Sequence, residues 1–258
     1  MSLKFPEMPE VPLANPPLTE VICQVRYPPI LRIASEDPSE FQERIRDRFP
    51  GFGFEQPFRL RLPGAGGVGE PSAELPPRLL RFTSLDEHAA VTLAVDFYAL
   101  STSHYTHWRD FLADLSLVHE AVVASYRPAF GARIGLRYVN RLSPSTTGLS
   151  TMQEITALVR PELTAILRGD PWNEPEEWLS QLVLTDGDAK LALRLVFNSK
   201  EDEPFLQLDF DYFEQGKVPL TELGERVKRY HSMIYRAFRW CLLEDSLVVF
   251  GGTVTEVK

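Results

Sequence analysis

The sequence predicts an α+β protein in which a β-α-β-β-β-α unit is used twice. The two units join as one curved antiparallel sheet of about eight strands with helices on one face. Three observations lead there. Several segments alternate apolar and polar residues with period two, the pattern of half-buried strands. Each group of such segments is followed by a long stretch with apolar residues every three to four positions, an amphipathic helix able to cover the apolar sheet face. Anchor residues also recur: Arg26-Tyr27 returns as Arg137-Tyr138 after 111 positions, Asp96-Phe97 as Asp209-Phe210 after 113, and His119 as His231 after 112. That period is far too long for a solenoid and reads as a two-fold duplication. Residues 1–18 form an extended arm, 19–130 the first unit and 131–258 the second. Tandem ferredoxin-like domains are the alternative; their βαββαβ unit matches the order less well.

The arm carries five prolines and little periodicity. Residues 20–27 alternate, with Val21, Cys23, Val25 and Tyr27 inward and Glu20, Ile22, Gln24 and Arg26 outward; Pro28 and Pro29 end the strand. Asp37, Pro38 and Glu40 form a helix start, after which Phe41, Ile45 and Phe49 repeat every four residues as a buried stripe. Residues 58–62 alternate again, with Arg59 and Arg61 outward. The loop 64–77 holds a literal G-x-G-x-x-G at Gly64, Gly66 and Gly69, but prolines follow it where a dinucleotide cradle needs a helix N-terminus, so it reads as a long connection. Residues 79–85 and 89–98 read as a hairpin through Asp86-Glu87. In its second strand Val91, Leu93, Val95 and Phe97 are inward, and Thr92, Ala94, Asp96 and Tyr98 outward. A helix over 104–126 buries Trp108, Leu112, Leu115, Val122 and Tyr126.

The stretch 132–142 is the most informative strand. Arg133, Gly135, Arg137, Val139 and Arg141 share one face; Ile134, Leu136, Tyr138 and Asn140 share the other. Residues 151–168 are helical in pattern and interrupted at Pro161. An acidic loop covers 170–177. Strands over 182–185 and 190–198 meet through Asp186-Gly187, a strong hairpin signal. Residues 205–213 form a strand with Leu206, Leu208, Phe210 and Tyr212 inward. A helix over 220–243 buries Leu223, Val227, Ile234 and Phe238, and residues 247–254 read as a short final strand.

No run of about 18 apolar residues exists, so no transmembrane helix is expected. The first residues lack the apolar core of a signal peptide. Cys23 and Cys241 are too few for a disulfide framework and fall on apolar faces, which suits a reducing cytoplasm. The net charge of −9 argues against nucleic-acid binding over the whole surface and leaves room for a local basic face.

The order of elements resembles the TATA-binding-protein-like duplicated fold. The segments PLTEVICQVRYPP, GLRYVNRL and FLQLDFDYF resemble an uncharacterised, sporadically distributed prokaryotic family across nearly the whole chain. That resemblance implies a soluble prokaryotic protein and brings no catalytic residues.

The outward strand positions collect nine cations: Arg26, Arg59, Arg61, Arg81, Arg133, Arg137, Arg141, Lys190 and Arg194. Four acids, Glu20, Asp96, Asp209 and Asp211, share that face. The balance is +5, and the remainder of the chain carries −14. Tyr98, Phe205 and Phe213 interleave as stacking surfaces. This segregation suits an anion-binding sheet face, since arginine favours bidentate phosphate contacts. The plainer reading pairs Arg26 and Arg137 with Asp96 and Asp209 as cross-strand ion pairs, each contributing about 0–1 kcal/mol when exposed. Arg133 and Arg141 have no acidic partner in the sequence pattern. His104 and His107 lie three apart without a third ligand, so helix-cap or surface roles are expected and no metal. His119 and His231 lie near buried stripes and read as packing histidines, although a histidine pair can serve metal-free RNA cleavage. The leading expectation is a non-enzymatic binding module whose Arg-rich sheet face takes nucleic acid or another polyanion, with no cofactor and no membrane. An antitoxin-like or accessory protein-interaction component and a metal-independent nuclease are the alternatives.

Overall fold

Strand β1 (Leu18–Arg26) runs through the middle of the sheet because its inward side chains Val21, Cys23 and Val25 are all completely buried. In the computed structural model, residues 2–55, 79–168 and 175–252 are described. The expected strand over 58–62, with Arg59 and Arg61, lies outside them, as do the G-x-G-x-x-G loop and Trp172. After β1 come the short helices α1 (Arg32–Ser35) and α2 (Ser39–Ile45). Asp37 accepts a hydrogen bond from the Ser39 amide at 2.8 Å, which starts α2. Phe41, Ile45 and Phe49 are fully buried as a stripe.

Four strands follow: β2 (Gly51–Glu55), β3 (Leu79–Thr83), β4 (Ala89–Leu93) and β5 (Phe97–Thr102). Then come helix α3 (Trp108–Tyr126) and strand β6 (Gly131–Leu142). Three short helices, α4 (Pro144–Thr147), α5 (Met152–Ala157) and α6 (Pro161–Thr164), lead to β7 (Glu177–Asp186), β8 (Ala189–Asn198) and β9 (Phe205–Val218). Helix α7 (Leu223–Cys241) closes the order, followed by a 3-10 helix over Glu244–Phe250.

All nine strands join one antiparallel sheet in the order β2-β3-β4-β5-β1-β6-β9-β8-β7. The architecture is therefore α+β with one large open sheet, and the two separate sheets of tandem ferredoxin-like domains are not formed. The helices line one face. There Ile134 and Leu136 of β6, and Leu208, Phe210 and Tyr212 of β9, pack beneath Val227, Tyr230 and Ile234 of α7. The buried thiols of Cys23 and Cys241 belong to this core; burial pushes both up to about 12.

Three expectations are corrected. The run 89–98 is two strands, not one. Ala94 donates to the Phe97 carbonyl at 2.8 Å, and β4 turns back on itself to pair with β5. That hairpin contains neither Gly nor Pro, and Asp96 alone marks it. The turn also inverts the inside–outside phase: Tyr98 is fully buried and offers no exposed stacking surface, while Phe97 lies on the open face. The helix then starts at Trp108, because β5 takes residues through Thr102. Finally, Glu244–Phe250 is helical. Leu247 and Phe250, both buried, stand three apart as one 3-10 turn places them, and Ser246 anchors the turn to the Leu158 carbonyl at 3.0 Å.

The arm is ordered across the helix layer. Leu3 and Ser2 bond to Asp186 at the β7–β8 turn, Phe5 packs on Trp240 with ring centroids 5.8 Å apart, and Glu7 pairs with Arg236. The Val11 amide donates to the Tyr235 hydroxyl at 2.8 Å, and the Asn15 amide to the Phe250 carbonyl at 3.1 Å.

Candidate functional site

Alternation on β1, β6, β8 and β9 places most of the predicted cations on the sheet face opposite helices α3 and α7. Their geometry follows from register. Arg137 stands opposite Asp211, and Val139 opposite Asp209. The arginines lean along the strand, Arg137 by two residues and Arg133, opposite Gln215, by four. Arg133 Nη2 donates to both oxygens of Asp211 at 2.8 Å; Arg137 donates from Nε and Nη2 to the two oxygens of Asp209, each at 2.7 Å. Arg194, directly across from Asp209 on β8, adds a third bond at 3.3 Å. Burial alone would lower the Arg137 pKa; the bonds and charge of Asp209 outweigh it and hold it above its ordinary value.

The remaining predicted residues fall into place around this pair of carboxylates. Arg26 reaches Asp96 at 3.4 Å. Arg141 reaches Glu201 at 3.1 Å and the Glu203 carbonyl at 3.4 Å. Arg133 and Arg141 thus have acidic partners, contrary to the sequence reading. Arg133 finds its acid through the diagonal lean, and Arg141 finds Glu201 in the β8–β9 loop, a segment that no strand pattern covers. Arg133 also lies over the Phe213 ring at 4.4 Å, and Arg141 over Phe205 at 3.8 Å, so guanidinium planes already cover both aromatics. Gly135 allows this: a Cβ there would stand 2.5 Å from Arg133 Nη1. Arg81 lies on β3, away from the group, and Lys190 is exposed on β8.

The helix side holds a second constellation that the sequence reading missed. A cavity of about 310 Å³ opens between the arm, the loop before α3, β6 and α7. His231 sits in its wall, stacked on Trp108 with centroids 4.3 Å apart and planes within 4°. Its Nε2 is 3.1 Å from Glu10 Oε1 and its Nδ1 is 2.7 Å from the Tyr138 hydroxyl. Burial holds the Tyr138 phenol well above its ordinary pKa, so it keeps its proton and donates to Nδ1; Nε2–H then donates to Glu10. His119 has the same arrangement: Nε2 donates to the Leu220 carbonyl at 3.1 Å, and Nδ1 accepts from the Tyr98 hydroxyl at 2.7 Å. Burial lowers the pKa of both histidines.

His104 packs against the His88 ring at 5.3 Å, and His107 precedes α3 without capping it through its side chain. Among the described residues no group of three His, Cys, Asp or Glu side chains is placed to hold a metal, and no helix is long and apolar enough to cross a membrane. A scan against protein-family models finds no match, and a comparison with curated protein sequences finds none either.

Proposed function

We propose that the chain is a non-enzymatic binding module whose open sheet face takes a polyanion, nucleic acid first. One observation carries the reading: Asp209, at the centre of the face, lies beneath its two arginines. The Asp209 side chain is 2% exposed, while the two guanidinium groups that share it, Arg137 and Arg194, are 31% and 29% exposed. At that point a partner meets guanidinium edges and not carboxylate. Asp209 also neutralises only one of its two arginines, and Lys190 adds a cation with no ion pair among the described residues. An extended polyanion can follow Arg133, Arg137 and Arg141, which recur about 13 Å apart on β6.

We further propose that the sheet arose by duplication, on the plan of the TATA-binding-protein-like fold. Supporting this is the β1–β6 register. Cys23 faces Leu136 and Val25 faces Ile134, while Gln24 faces Gly135. A shift of 111 residues exchanges the first two pairs and maps Gln24 onto its own partner, as a pseudo-two-fold axis between those strands requires. By the same register Tyr98, opposite Val25, corresponds to Tyr212, opposite Leu136, at an offset of 114. The expected match of Asp96-Phe97 to Asp209-Phe210 fails: Asp96 lies in the β4–β5 turn and Phe97 on the open face, whereas Asp209 is mid-strand and Phe210 is in the core. The first half contains one strand more than the proposed unit.

The functional reading is tested by anisotropy titrations with single- and double-stranded DNA and RNA from low to physiological salt. Lys190→Ala and Arg26→Ala are the cleanest variants, since one lacks an ion pair and the other has a long, exposed one. Removing a cation that binds one phosphate should reduce the salt slope by about one unit. Absence of binding at low salt, or an unchanged slope in the double variant, refutes the proposal.

A further inference from the structure

We infer that the cavity beneath the arm is a binding site for a compact organic ammonium ion. It lies on the helix side of the sheet, apart from the arginine face, and does not depend on the polyanion reading.

The chemistry of its wall selects the ligand. Five aromatic rings line it: Tyr105, Trp108, Tyr138, Tyr235 and Phe238. Among the described residues Glu10 is the only carboxylate in the lining, and no lysine or arginine lines it. Outside the lining, Arg236 is neutralised by Glu7, and Arg239 stands behind Tyr235, bonded to its hydroxyl and to the Pro9 carbonyl. His231 adds no positive charge at neutral pH, because both of its ring nitrogens are committed in the neutral form described above. Aromatic faces are the negative ends of ring quadrupoles, and a cation held among them gains most when water is excluded. One carboxylate beside such rings makes a half-open cleft that is attractive to cations and repellent to anions.

Size narrows the class. About 310 Å³ stands at the small end of ligand sites and leaves room for an alkylated ammonium. Glu10 spends Oε1 on His231 while its side chain stays 66% exposed, so the carboxylate retains acceptor capacity for an ammonium or hydroxyl group. Arm residues Val11, Leu13 and Pro17 supply the facing apolar wall, so an occupant would hold arm, β6 and α7 together.

The test uses the full chain and three probes: tetramethylammonium, choline and 3,3-dimethylbutan-1-ol, the uncharged isostere of choline. Calorimetric titration and melting curves are recorded for each. Saturable binding of either cation is expected, with the isostere at least about tenfold weaker. Glu10→Gln should weaken choline about tenfold and leave the isostere unchanged. Because that change also loosens the arm, Tyr105→Phe and Tyr105→Leu form a second branch of the test: the ring-retaining variant keeps choline affinity and the aliphatic one loses it. Equal affinity for the isostere, identical affinities in both Tyr105 variants, or no saturable binding of either cation up to about 10 mM overturns the inference.

Discussion

Replacing Asp209 by Asn tests the arginine face most severely, because its two consequences run in opposite directions. The carboxylate accepts three charge-assisted hydrogen bonds from two arginines on flanking strands and is almost fully buried. Removing one partner of a fully buried ion pair costs about 3–5 kcal/mol. Here the arginines keep roughly a third of their exposure and regain some hydration, which brings the expected loss to about 2–3 kcal/mol. For a chain of this size that is a fall of roughly 5–10 °C in melting temperature. The same change frees two guanidinium charges at the centre of the face. If the face binds polyanions, the destabilised variant binds them more tightly, with a salt slope steeper by up to about one unit. Urea or thermal melts give the first quantity and anisotropy against salt the second. A stability loss below about 0.5 kcal/mol refutes the structural account of the network. A clear loss with unchanged affinity and slope refutes the binding account, leaving the network as sheet reinforcement.

Three other outcomes are expected. Gly135→Ala places a methyl group where the Arg133 guanidinium now lies, so it should displace that side chain from Asp211 and Phe213 and cost about 1 kcal/mol, read by urea melts. His119 and His231 have folded pKa values below the unfolded value of about 6.5, so the unfolded state binds more protons in that range. Their contribution is complete above that pH and lost as pH falls through the folded values; melts on either side should show this, with a shallower slope in His119→Gln and His231→Gln. Arg127 ends α3 in the left-handed region at φ 51°, so Arg127→Gly should raise stability by about 0.5–1 kcal/mol in a thermal melt.

What could be read in advance was whatever depends on short-range period. The inward set of β1, the Phe41–Ile45–Phe49 stripe and the break at Pro161 are fixed by neighbours within a few residues. The turn at Ala94–Phe97 was missed because its one turn-favouring residue, Asp96, stands among apolar residues that continue the alternation; the pairing of β4 with β5 imposes it. At the arginine face the positions were legible and most of the partners were not. Which carboxylate Arg133 finds depends on register and on a diagonal lean, and both are tertiary quantities. The cavity was beyond reach altogether, since its wall draws on the arm, β6 and α7. Only the recurrence of His119 and His231 hinted that those helix positions were special.

The arm's contacts set a temporal order. Val11, Glu10 and Glu7 bind partners 224, 221 and 229 residues further along, and Asn15 meets Phe250. While the chain is being synthesised, the arm emerges more than 220 residues before its docking surface. Until α7 has left the ribosome, Leu3, Phe5 and Leu13 have no apolar surface on α7 to rest on. Their five accompanying prolines keep that waiting segment out of stray sheet pairing, since proline cannot donate to a ladder. Arm closure is therefore a late step, opposed by long-range loop entropy. A cleavage site placed in the arm would be cut in nascent chains halted before α7 and protected in released ones.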